Sequence, residues 1–327
     1  MQNGPPVHQR EMVDLVRHEE AEVQYFVQSG NRFLKIIQSF IAKSVREEKL
    51  TQKKGRACFK EVLHKILFCG HINIPVINPE EMLDHREIQL LSEKYPDVFQ
   101  KYNTHLPKRP PYAVLLDAVV KITGTNINEV LKCLTDLNYQ MLVKFTGTSS
   151  NKLGNTFPSE VISCCCLWDV TTRGKTDNYF GTLLSLRGRQ QKEIMIDILC
   201  CQTWHQYISL GVSIYKTFNK TPGSQHDLPS AVQPYSSHES SSYKSCSDMI
   251  YINNSPYFEF GICPECECLS QLLYTNQQVV EKLECLDIGI LMYFEEVTNS
   301  NHERLKQNLK SLGFNVGYHL EFYDPNE

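Results

Sequence analysis

Residues 111–147, PYAVLLDAVVKITGTNINEVLKCLTDLNYQMLVKFTG, set the reading of the whole chain. The opening apolar run of this stretch reads as a helix, entered from LPKRPPY (106–112), which reads as a short stiff connector. Gly124 interrupts the run. Asn126 then stands where an N-cap belongs, with Glu129 three places on, a capping-box spacing. Ile127, Val130, Leu131, Leu134 and Leu137 recur at helical spacing, which predicts a second helix with one apolar face. Met141 to Phe145 carries the β-branched and aromatic composition of a strand.

Helix, turn, helix, strand is an order that resembles a winged-helix core, a shape used for nucleic-acid binding and for subunit contacts. The charges weigh against base reading. The second helix carries two acids, Glu129 and Asp136, against one base, Lys132, and the supposed wing has only Lys152. Phosphate neutralisation by cations supplies most non-specific affinity for nucleic acid, so this stretch is expected to pack or to contact protein.

On its N-terminal side the chain reads as helical. Residues 1–9 are expected to be disordered, and 10–46 to form a helical hairpin broken near Ser29-Gly30-Asn31. Arg46 to Arg56 reads as a basic loop, followed by a helix from Ala57 to Phe68. A further helix is expected from Asn78 or Pro79, interrupted at Pro96. On the C-terminal side the pattern changes. Val161–Val170 and Tyr179–Leu186 read as a strand pair, followed by one long helix over 190–218. Residues 222–248, poor in large apolar side chains and rich in Ser, Pro and Gln, read as a disordered insertion. Short strands at 249–253 and 257–260 follow. A helix at 276–286, a strand at 288–295, a helix at 302–312 and a strand at 315–323 complete the chain. The expected fold class is α+β: a helical domain over 10–150 with a winged-helix-like unit, then an α+β domain over 151–327.

The composition is that of an ordinary globular chain: 327 residues, 41% hydrophobic and 21% charged. The apolar runs fall short of the ~20 residues a membrane span needs, and the polar start does not read as a secretory signal. Thirteen cysteines, an odd number scattered through apolar patterns, suit a reducing compartment and hence the nucleus or cytoplasm. A net charge of -4 gives no general attraction to nucleic acid. Locally, residues 41–70 hold eight Lys or Arg against three Glu, and 171–192 hold five against one Asp.

Chemistry-bearing motifs are few. In CPECEC (263–268) a Cys-Pro-x-Cys turn could present Cys263 and Cys266 to zinc, with further ligands sought among Cys246, His238, Cys268 and Cys285. No phosphate-cradling glycine loop occurs, because GTSSNKLGNT (147–156) places Lys152 before its second glycine. Asp84-His85-x-Glu87 lies in a charged helical stretch where a solvated face is the expected role. The reading that follows is a non-catalytic interaction or adaptor protein, a subunit of a larger assembly. One alternative is a nucleic-acid-associated protein using 43–56 and 171–192, with Lys53, Lys54, Arg56, Arg187 and Arg189 as contacts. Another is an enzyme whose site is assembled from residues distant in sequence, for which a pocket of converging polar groups is expected.

Overall fold

The computed structural model describes residues 7–141, 157–159, 161–169, 174–182, 186, 188–219, 243–251, 264–284, 288–314, 316–317 and 319–327. Most of these are helical, with one small antiparallel sheet.

Helix α1 (Val7–Arg46) runs without a break, in place of the expected hairpin, and starts inside the stretch expected to be disordered. Gly30 explains the difference. A Cβ there would lie 3.2 Å from the Phe157 ring, so glycine at this point admits Phe157 to the helix surface instead of ending the helix. The Phe157 ring centroid lies 5.0 Å from that of Phe26 and 5.8 Å from that of Phe33. Helix α2 (Gln52–His71) begins at Thr51, whose hydroxyl accepts from Lys54 N, so Lys53, Lys54 and Arg56 lie in a helix and not in a loop. From Phe59 to Gly70 every residue of α2 is buried, which makes it the central rod of the N-terminal half.

Short helices α3 (Pro79–Met82), α4 (His85–Lys94) and α5 (Pro96–Lys101) follow, with Pro96 forcing the step between the last two. Asp84 is the N-cap of α4, accepting from Glu87 N at 2.8 Å, so its cluster with His85 and Glu87 has a structural role. The opening stretch forms α6 (Pro111–Thr123) and α7 (Ile127–Met141), separated by Gly124 at φ 81°, a left-handed turn that favours glycine. The Asn126 side chain accepts from the backbone N–H of Asn128 and Glu129 at 3.0 and 3.4 Å. Asn126→Ala is expected to cost about 1 kcal/mol of stability, read by urea titration. The winged-helix unit is not shown. Met141 still belongs to α7, and the rest of the expected strand lies outside the described residues, as does the expected domain boundary near residue 150.

Strand β1 (Val161–Asp169) is antiparallel to β2 (Gly174–Lys175), β3 (Tyr179–Thr182) and β4 (Tyr243–Tyr251). Ile162 to Cys165 pairs with both β3 and β4, which therefore lie on opposite edges of β1. Residues 243–248, expected within the insertion, belong to β4 through a nine-residue register with β1. The rest of the insertion and the 257–260 strand fall outside the described residues.

The expected long helix over 190–218 is two, α8 (Arg189–Gln202) and α9 (Gln206–Asn219). Between them Trp204 O accepts from Tyr274 Oη, and His205 N donates to Ser270 Oγ. The backbone there bonds to a neighbouring helix in place of its own next turn. That neighbour is α10 (Glu265–Thr275), where a thiolate-presenting turn was expected, followed by α11 (Gln277–Glu284). The strand expected at 288–295 is instead the first part of α12 (Ile288–Ser311), because a short apolar run fits either period and here joins the next helix. Of the expected last strand, the described residues show one parallel bridge, Leu106 to Phe322. Leu106 N donates to Glu321 O at 2.7 Å and Tyr323 N to Leu106 O at 2.9 Å. Tyr323 stacks on His64 with ring centroids 4.0 Å apart and donates to Asp97 at 2.7 Å. One apolar core joins residues of α1, α2, α6 and α7 to Ile162, Phe180, Ile194, Leu305 and Tyr323.

Candidate functional site: an open groove and a charged cavity

Two features stand apart from this packing. The first is a groove between α1 and α7, lined also by Ile122 and Thr123 of α6. It has two lobes of about 400 and 720 Å³ that share Ile36 and Gln140. Helical spacing creates it. On α1, Phe33, Ile37 and Ile41 face the core, while Ile36 and Phe40, one position round, are left half-buried in the groove. On α7, Leu137 lies at the base and Tyr139 stands 78% exposed. Arg32, Lys35, Lys43 and Lys49 line the walls with Glu47 and Asp136, and Lys35 is paired with Glu87 at 3.0 Å. Glu47 is shared by Lys49 at 2.9 Å and Lys43 at 3.9 Å. Arg32 Nε donates to the Gln140 carbonyl at 2.6 Å, a cation at the C-terminal end of a helix dipole. Burial raises the Cys133 thiol above its usual range, so it stays protonated and unreactive there.

The second feature is a cavity of about 470 Å³ among Arg109, Asp117, Thr203, Trp204, Glu267 and Tyr274, residues from four separate stretches of chain. Arg109 Nε and Nη2 donate to both Glu61 oxygens at 3.0 and 3.1 Å, and Nη1 donates to Asp117. Lys65, its side chain 1% exposed, donates to Glu61 at 2.7 Å. Burial would raise the Glu61 carboxyl, but Lys65 and Arg109 overcome it and hold it well below the usual range. Glu267 differs. Its Oε2 accepts from Thr182 N and Oγ1 at 3.0 and 3.3 Å, both neutral donors. Enclosure of its carboxyl group, the largest cause, lifts it to about 7. Sequence reading missed every member of this cavity, because they converge only in space. Such convergence is what the assembled-enzyme alternative requires.

The residues singled out from sequence fare unevenly. Lys53 and Lys54 are exposed in the first turn of α2. Arg56 is engaged, donating to the Lys94 carbonyl at 3.2 Å with its guanidinium 5.6 Å from the centre of the Tyr95 ring. Arg189 pairs with Glu193 one turn along α8, and Arg187 lies outside the described residues. Cys266 and Cys268 are buried in α10, the latter accepting from Ser163 Oγ at 3.2 Å, while Cys263 is outside the described residues. Among the described residues no group of three or more His, Cys, Asp or Glu could hold a metal ion, and no helix is long and apolar enough to cross a membrane. No protein-family model, curated protein or solved structure matches this chain.

Proposed function

We propose that this protein is a non-catalytic interaction subunit of an intracellular assembly, and that a partner docks in the groove between α1 and α7. The observation that carries the reading is an apolar base, Ile36, Phe40 and Leu137, beside the exposed ring of Tyr139. Exposed aromatic anchors beside apolar grooves are where binding energy concentrates. The occupant is an amphipathic segment of another protein bearing acids beside its apolar residues, since with Lys35 paired to Glu87 the three cations Arg32, Lys43 and Lys49 still exceed the two wall acids.

Affinity purification from the native cell type tests this with the pair Lys43→Glu and Lys49→Glu, and separately with Tyr139→Ala. All three side chains are exposed, so folding is expected to survive. Each variant is expected to weaken the partner about tenfold or more. Neutralising the acids on the partner's binding segment should weaken it similarly. Recovery of the same partners at the same level by both variants would sink the groove reading.

The nucleic-acid alternative rests on Lys53 and Lys54, because an exposed helix N-terminus also favours anions. Binding to RNA or DNA that falls with salt and is lost on reversing both lysines would support it.

A further inference from the structure

The cavity around Arg109 is unbalanced in charge. Its charged lining is one cation, Arg109, against two carboxylates, Asp117 and Glu267, and Glu61 with its partner Lys65 lies beyond Arg109. Arg109 is fully occupied by Glu61 and Asp117, and Lys65 by Glu61. Glu267 has no ion-pair partner among the described residues, only the N–H and hydroxyl of Thr182. A half-buried carboxylate without a counter-ion is costly, and burial together with the nearby Asp117 charge weakens its acidity towards neutral pH.

The other walls are aromatic. Tyr179, Trp204 and Tyr274 line the same cavity. The Tyr274 hydroxyl is fixed to the Trp204 carbonyl at 3.0 Å and its ring packs edge-on to His205, yet the side chain is 59% exposed. An anionic ligand would meet two carboxylates while the arginine is already engaged. A purely apolar ligand would strip water from Glu267 and return nothing. An alkylammonium group satisfies both kinds of wall, by charge pairing with the carboxylate and by cation–π contact with the rings.

We propose that this cavity binds an organic ammonium group, with Glu267 as its counter-ion and Tyr179, Trp204 and Tyr274 as its aromatic enclosure. The group can come from a free amine or from a lysine side chain of another protein. The inference is independent of the α1–α7 groove, and the variants below leave that groove intact.

Calorimetric titration of the full chain with n-butylammonium, n-butanol and butyrate tests it. Binding of the ammonium alone is expected, weakened about tenfold by Glu267→Gln and by Tyr274→Leu, a factor equal to about 1.4 kcal/mol. Tyr274 is exposed, so its variant keeps the test decisive if Glu267→Gln misfolds. Titration with a short peptide carrying one unmodified internal lysine separates the sources. Affinity well above that of n-butylammonium assigns a lysine side chain, and equal affinity a free amine. The proposal is overturned if n-butylammonium does not bind, if n-butanol binds as tightly, or if a folded variant binds as well as the native chain.

Discussion

Asp197→Ala is expected to destabilise the protein by about 3–5 kcal/mol, the usual cost of removing one member of a buried ion cluster. Asp197 is wholly buried and accepts from Lys216 Nζ at 2.7 Å, from Arg304 Nη2 at 2.6 Å and from Arg304 Nε at 2.9 Å. These contacts tie α8 to α9 and α12. Alanine would leave two cations facing each other in a site with little water, their side chains only 12% and 24% exposed. The exposed pair Arg189–Glu193, also on α8, provides the contrast, since breaking it should cost no more than about 0.5 kcal/mol. Replacing all three members of the cluster by apolar residues of similar volume should cost much less than Asp197→Ala alone, because no charge is left stranded. Urea denaturation followed by circular dichroism measures each variant. A cost below about 1 kcal/mol for Asp197→Ala would show that the two cations find other partners.

What the sequence disclosed divides along a physical line. Signals that act within one turn of chain were legible. Asn126 as a cap, Pro96 as a break and the apolar face of α7 at Val130, Leu134 and Leu137 all stand as read. The pairing of 161–169 with 179–182 was legible too, from two β-rich runs joined by a turn. The failures come where a distant contact decides. Gly30 looks like a helix breaker until Phe157 is seen against it. The division of 190–218 depends on Ser270 and Tyr274, some 65 and 70 residues along the chain from their partners His205 and Trp204. Residues 288–295 fit strand and helix alike on composition, and the continuation into 302–311 decided the matter.

The same line separates the two candidate sites. Half of the groove could have been inferred, because Ile36 and Phe40 are apolar residues beyond what one core-facing stripe of α1 needs. The cavity could not. Arg109 lies in a proline-rich connector, Glu267 in a cysteine motif that drew attention to its thiols, and Trp204 in what read as a helix interior. A charge imbalance between carboxylates and cations exists only once the fold has placed Asp117 and Glu267 beside Arg109, which Glu61 already engages.

Acid should act on this protein through His64. The ring is fully buried, flat against Tyr323, with Nε2 3.3 Å from the Lys101 carbonyl. That contact fixes the proton on Nε2 and leaves Nδ1 buried without a partner. Protonating Nδ1 would put a charge inside the core beside Lys65, and burial, with that lysine's repulsion second, pushes the ring down to about 3. The unfolded chain takes up this proton near 6.5, so between there and about 3 it binds more protons than the folded state. The histidine's contribution is therefore intact above pH 6.5 and lost as pH falls, by about 2–3 kcal/mol between pH 7 and 4.5. Glu267 works in the opposite sense over part of that range, since a raised carboxyl favours the folded state as it protonates. The clean observable is thus the difference between the native chain and His64→Phe, in which the Glu267 contribution cancels. Phenylalanine keeps the stack on Tyr323 but leaves the Lys101 carbonyl without its donor, a penalty of about 1 kcal/mol that does not vary with pH. His64→Phe should be the less stable protein at pH 7.5 and the more stable one at pH 4.5, measured by urea titration at each pH. A gap between the two that stays constant across that range would mean that the folded chain protonates His64 as readily as the unfolded one.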